Sequence, residues 1–180
     1  MTAQDSLSAE RLHLANLLEA VQRCAYFLHA TSQRLPWPLA GASLRQRQKD
    51  NGLFEGLAAF NERFAKLQDT LGAAMRHAAL LMSEPAAPFL RVLSLFAKLG
   101  VIDSIESWQL CRAARNLAAH VYETDYVRIA EHFNELQSLQ STLIRAAAGL
   151  LDTCASTLSI QPASADFADD FAAVRTAYAT

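Results

Sequence analysis

One apolar stripe limits what this chain can become more than any other feature. Leu53, Leu57, Phe60, Phe64, Leu67, Leu71 and Met75 follow one another by steps of 4, 3, 4, 3, 4 and 4. Such steps keep side chains on one face of a helix with 3.6 residues per turn, whereas a strand would alternate them. The stripe therefore predicts a long helix starting near Asp50 or Asn51, either of which can cap it. A face this apolar needs other helices to cover it.

The rest of the chain supplies them. A first helix is expected from about Ser8 to Arg34, with Leu14, Leu18, Val21, Ala25 and Leu28 inside. Pro36, Pro38 and Gly41 stop it. Residues 42 to 50 carry Arg45, Arg47 and Lys49 and read as a solvated connector. His77 fits the C-terminal end of the second helix. A third helix is expected from Ala86 to Leu99, opened with help from Pro85, anchored by Phe89, Leu90, Leu93 and Phe96, and ended by Gly100. A fourth starts at Asp103 with Glu106 at the capping-box position and runs to Tyr122. A fifth starts at Thr124 or Asp125, with Ile129, Phe133, Leu136, Leu143, Ala147, Leu150 and Cys154 inside and Gly149 as a loosened point. The tail has Phe167 and Phe171 as anchors for a short terminal helix. Long helices with short connections predict an all-α protein, an antiparallel bundle of about five helices. Residues 1–158 form the domain, and 159–180 are an extension.

Composition narrows the function. Lys and Arg total 16 against 18 Asp and Glu, so the formal net charge of -2 does not advertise nucleic-acid binding, which would need a local patch. Cys24, Cys111 and Cys154 are odd in number and widely spaced, which suits buried free thiols. No apolar run approaches the roughly 20 residues of a membrane span, and the N-terminus lacks a signal-peptide pattern. The expectation is a soluble, cytoplasmic protein without membrane contact. There is no glycine-rich phosphate loop, HExxH pair or Gly-x-Ser-x-Gly elbow, so neither a metal site nor a cofactor is expected.

The chemistry sits in Trp108 to Tyr122, WQLCRAARNLAAHVY. Trp108, Cys111, Arg115, Ala118 and Tyr122 form one stripe, apolar or aromatic except for Arg115. Leu110, Ala114, Leu117 and Val121 form a wholly apolar line expected to face the core. A guanidinium can hold a phosphate and stabilise charge developing on it. An imidazole at His120 can move protons near neutral pH, and Asn116 can orient it or a substrate oxygen. Arg112 is a further RNA-contacting candidate. These groups would suffice to cleave RNA through its 2′-hydroxyl, which DNA lacks. Arg115 and His120 lie five positions apart, roughly 140° around a helix. Two copies meeting on a two-fold axis would gather them in one cleft, which predicts a homodimer. By spacing alone, the favoured reading of the same residues is a stacked or salt-bridged arginine and a dipole-compensating histidine.

The string R-N-x-x-x-H-x-Y, with NERFAKLQDTLGAAM (61–75) and PFLRVLSLFAKLGVIDSIESW (88–108) before it and AEHFNEL after it, resembles HEPN-domain proteins. Within them it is most similar to the HepT-like toxins encoded beside a minimal nucleotidyltransferase. The resemblance covers about residues 50–150. It implies an up-and-down helical bundle that dimerises with its motifs facing. It also implies metal-independent endoribonuclease activity with Arg115, His120 and Asn116 at the catalytic site. Tyr122 matches the tyrosine that the nucleotidyltransferase antitoxin adenylylates in some members, a modification that would place negative charge beside a phosphate-binding cleft. Two other readings stand beside this one. One is a non-catalytic subunit that binds the nucleotidyltransferase and presents Tyr122 for adenylylation. The other is an unrelated helical interaction protein.

Overall fold

The computed structural model describes residues 3–118 and 125–179. In chain order these form α1 (Ala3–Ser32), α2 (Gly41–Gln46), α3 (Asn51–Leu81), α4 (Phe89–Lys98), α5 (Ile105–Ala118), α6 (Tyr126–Thr153), a π-helical turn (Cys154–Leu158) and α7 (Ala168–Ala177). No strand occurs among the described residues. The protein is all-helical, and α2 and α7 raise the expected count of about five helices to seven among the described residues.

The long stripes build the core. Every member of the α3 stripe from Leu53 to Met75 is buried, as are Leu14, Leu18, Val21, Ala25 and Leu28 of α1 and Ile129 through Cys154 of the α6 line. Helices α1 and α3 pack along each other in opposite directions. His77 meets Glu10, the Thr70 hydroxyl lies 3.8 Å from the Cys24 thiol, and Arg63 reaches the Phe27 carbonyl. Helix α6 packs on α2, α3 and α5, and α4 leans on α3 and α5. Each fully buried leucine or phenylalanine contributes about 1.5–3 kcal/mol of transfer free energy, so apolar burial dominates this fold.

Capping follows the sequence at two helices. Asp50 accepts from the Leu53 amide at 3.0 Å, and Asp125 from the Val127 amide at 3.0 Å. At α5 the cap is displaced by one residue. Ser104 and Ser107 exchange hydrogen bonds, each hydroxyl accepting from the other's backbone N–H at 3.0 and 3.2 Å. Asp103, the expected cap, instead accepts from Arg145 at 2.9 Å. Helix α4 starts at Phe89 rather than Ala86, and its Leu90 faces outward.

Four further expectations are corrected. Residues 42–50 are not a plain solvated connector, because Leu44 buries itself as α2 packs on α6. The Asn134 side chain holds the preceding turn, accepting from the Leu39 amide and donating to its carbonyl. His77 does not serve the end of α3, since its Nε2 lies 2.8 Å from the Glu10 carbonyl oxygen and 3.1 Å from the Glu10 carboxylate. Helix α6 stays regular at Gly149, where a Cβ would come within 3.1 Å of the Val101 Cα. It loosens instead at the π-helical turn. Leu110, expected in the core, is 48% exposed, whereas Trp108, Cys111 and Ala114 are buried.

The tail is held at three points. Phe171 and Val174 are buried in the cluster, Arg175 donates to Asp152 on α6, and His29 Nδ1 lies 3.1 Å from the Tyr178 hydroxyl. Phe167 is half-buried, 6.2 Å from Phe27 between ring centroids.

Candidate functional site

Helix α5 is pinned to α3 by Trp108. Its carbonyl accepts from Gln68 Nε2 at 3.0 Å, and its indole meets the Phe89 ring edge-on at 6.1 Å. This contact explains why Leu110 itself points outward. The indole is the largest side chain on α5, and burying it turns Leu110 toward solvent while Ala114 stays buried.

Two turns further on, the same face brings Arg115 onto α3. Its Nη1 donates to the Asp69 carboxylate at 2.6 Å and to the Ala65 carbonyl at 3.1 Å. The arginine side chain is 17% exposed and that of Asp69 65% exposed. The guanidinium is thus drawn down to the protein surface while its counter-charge stays wet. Arg115 is not an unpaired charge, because the Asp69 carboxylate already occupies one of its donors.

Around this pair lies a cleft of about 200 Å³ whose wall includes Gln68, Asp69, Arg76, Phe89, Arg112 and Arg115. Among the described residues, three guanidinium groups border it against a single carboxylate. Arg76 is stacked 4.4 Å above the Phe89 ring, which orients it without neutralising it. Gln68 Oε1 is buried and has no hydrogen-bond partner among the described residues. A set of guanidinium donors over one small cleft suits a phosphate, which accepts several N–H donors at once.

Arg112, Arg115 and Asn116 all lie on the last described turns of α5, and Asn116 is exposed. His120 and Tyr122 lie outside the described residues, so the structure brings together the arginines of the motif and leaves its histidine and tyrosine unplaced. Among the described residues no group of three or more His, Cys, Asp or Glu side chains could hold a metal ion.

A second groove borders the first. It encloses about 770 Å³ between α1 and α3 and is rimmed by Arg23, Arg63 and Lys66, with Asp69 and Ala73 shared between the two. A net negative chain therefore carries a local basic surface, drawn from α1, α3 and α5. The most basic stretch of sequence is not part of it. Arg47 is paired to Asp50 at 2.7 Å, and Arg45 lies 6.0 Å from the Tyr126 ring centroid. Sequence reasoning missed Arg23, Arg63, Lys66, Arg76, Gln68 and Asp69. A signal was present, since Arg63, Lys66, Asp69, Ala73 and Arg76 recur by 3, 3, 4 and 3 beside the apolar stripe.

The thiols take no part in this chemistry. Burial pushes Cys111 up to about 11 and Cys154 up to about 12, so both are neutral at physiological pH. Neither a protein-family model, nor a curated protein, nor a solved structure matches the chain. Among the described residues no helix is long and apolar enough to cross a membrane.

Proposed function

We propose that the protein is a metal-independent endoribonuclease, the toxin of a HepT-like pair whose antitoxin is a minimal nucleotidyltransferase. The observation that carries this reading is the arginine cleft: Arg76, Arg112 and Arg115 around one small space at the motif-bearing end of α5.

In this reading Arg115 and its neighbours hold the scissile phosphate and stabilise the charge that builds on its oxygens. His120 takes the proton from the 2′-hydroxyl, whose oxygen forms a bond to phosphorus as the bond to the 5′-oxygen breaks. The leaving oxygen is protonated by an acid from the paired motif. A 2′,3′-cyclic phosphate and a free 5′-hydroxyl result. Two copies of an up-and-down antiparallel HEPN-like bundle would supply the two histidines, in a cytoplasmic homodimer. Adenylylation of Tyr122 would switch the site off by adding bulk and negative charge beside it.

One observation favours a second reading. Arg115 is already paired with Asp69, as a structural arginine would be. In that case the chain is a non-catalytic subunit that binds the nucleotidyltransferase and presents Tyr122.

Cleavage of single-stranded RNA in EDTA tests the two. The first reading expects cleavage by the wild type, lost in His120→Ala with its circular dichroism spectrum and melting temperature intact. Equal inertness of both proteins would leave the subunit reading standing. Light scattering should give about twice the 19.7 kDa chain mass, and a monomer at micromolar concentration would remove the shared cleft. Incubation with ATP and the nucleotidyltransferase should add AMP to Tyr122, and modification confined to another residue would remove the switch.

A further inference from the structure

The larger groove between α1 and α3 is unused by the chemistry above. Its volume of about 770 Å³ lies in the range of small-molecule sites. Its walls divide by chemistry. Half-buried Leu17 and Ala20 and exposed Ala73 line it with apolar carbon, while Arg23, Arg63 and Lys66 line it with cations.

Phe27 stands at the edge, 36% exposed. The guanidinium carbons of Arg23 and Arg63 lie 5.8 and 5.5 Å from its ring centroid. Arg63 is fixed there, donating to the Phe27 carbonyl and to the Thr31 hydroxyl. Among the described residues neither Arg23 nor Lys66 has a carboxylate within 4.0 Å. A flat ring framed by cations, beside apolar lining, suits a ligand with a flat unsaturated body and a negative charge. A nucleotide unstacked from its neighbours has both, and aromatic stacking with backbone-tracking cations is how single strands are held.

Position supplies the remaining argument. Asp69 and Ala73 border both clefts, so a chain lying across α3 passes from the arginine cleft into the groove. We propose that the groove holds a nucleotide flanking the scissile phosphate of a single-stranded RNA, its base against Phe27 and its phosphate between Arg23 and Lys66. The choice of RNA rests on the cleavage reading, but the groove itself does not.

The test uses an octamer of 2′-O-methyl RNA, whose blocked nucleophile prevents cleavage. Binding is read by fluorescence anisotropy across a salt series for the wild type and Arg23→Gln/Lys66→Gln. Losing the one phosphate held between these two cations should flatten the plot of log affinity against log salt by about 0.7, the single-strand value per neutralised phosphate. Cys24, also on the groove wall and the only half-buried thiol of the three, reports occupancy directly. Saturating octamer should slow its alkylation severalfold in the full-length wild type. An unchanged salt slope, or a Cys24 rate indifferent to the octamer, overturns the proposal. So does a Cys24 rate that falls with protein concentration without RNA, which would identify a second copy as the occupant. A wild type that protects Cys24 but leaves ordinary RNA intact keeps the groove and loses the nuclease. One that cleaves RNA without protecting Cys24 does the reverse.

Discussion

Replacing Asp69 with asparagine should weaken the fold slightly and strengthen RNA binding, two effects of opposite sign from one atom exchange. Asp69 is mostly solvent-exposed, so its pair with Arg115 belongs with surface ion pairs, worth about 0.2–1 kcal/mol. The substituted amide would keep an acceptor for Nη1, and Arg115 would keep the Ala65 carbonyl. The loss should stay below about 1 kcal/mol, a fall in Tm of roughly 2–4 °C for a chain of this size. Binding changes in the other direction. An anion seated on the Arg115 guanidinium lies within roughly 4–6 Å of the Asp69 carboxylate. Two unit charges 4 Å apart repel by about 1 kcal/mol in bulk water and by about 4 kcal/mol at an effective dielectric near 20. The exposure of Asp69 places the repulsion toward the lower figure, about 1–2 kcal/mol, or roughly five- to thirtyfold in affinity. Anisotropy with 2′-O-methyl RNA at fixed salt measures it. Glu131→Gln on α6 controls for the change in net charge. Should Asp69→Asn bind no more tightly than that control, Arg115 is a structural arginine and the cleft is not where phosphate sits.

Other outcomes follow from the packing. Gly41→Ala would place a Cβ 2.8 Å from the Val127 Cα, and a backbone atom cannot swing aside. Thermal melts should show about 1–3 kcal/mol of destabilisation, the usual result of overpacking, with no change if α2 is loosely held. Ser104→Ala should cost about 1 kcal/mol by removing the α5 cap, while Asp103→Asn should cost less, since its Arg145 pair is exposed. The reverse order would return the cap to Asp103. The buried thiols fix a pH dependence. Folded, Cys154 keeps its proton up to about 12, whereas the unfolded thiol releases it near 9. The native state then binds more protons, so the thiol's contribution to stability is lost as pH rises above about 9. In urea melts, the stability difference between the wild type and Cys154→Ala should shrink by about 2 kcal/mol from about pH 9 to 10.5, at about 1.4 kcal/mol per pH unit. A constant difference would mean that the thiol ionises freely in the folded protein.

The helices that could be read in the sequence are those whose burial is set by one long periodic stripe. Leu53 to Met75 and Ile129 to Cys154 each offer a single apolar face, so neighbouring helices had no choice of side. Helix α5 was ambiguous because two stripes of similar weight compete on it. Trp108 decided between them by docking on Gln68 and Phe89, contacts made with residues far away in sequence. The cap at Ser104 was missed because Asp103 with Glu106 satisfies the usual spacing equally well, and Arg145 drew Asp103 away. At the candidate site, Arg112, Arg115 and Asn116 were legible as a local motif. The cations that give them a basic surrounding were not, since Arg23 comes from α1 and Arg63, Lys66 and Arg76 lie on the flank of an α3 whose apolar stripe already accounted for the helix. The overall charge of -2 hides them further.

The clasp between His29 and Tyr178 joins positions 149 residues apart. At a synthesis rate of about 5–20 residues per second, α1 waits roughly 7–30 s for α7 to be made. During that interval Phe27 and the flank of α1 near it lack their eventual cover of Phe167. Nascent chains of this protein therefore expose more of that aromatic surface until Phe167 and α7 have been made. Slowing the ribosome between the codons for α6 and those for α7 should raise the demand for chaperones more than slowing it before α1.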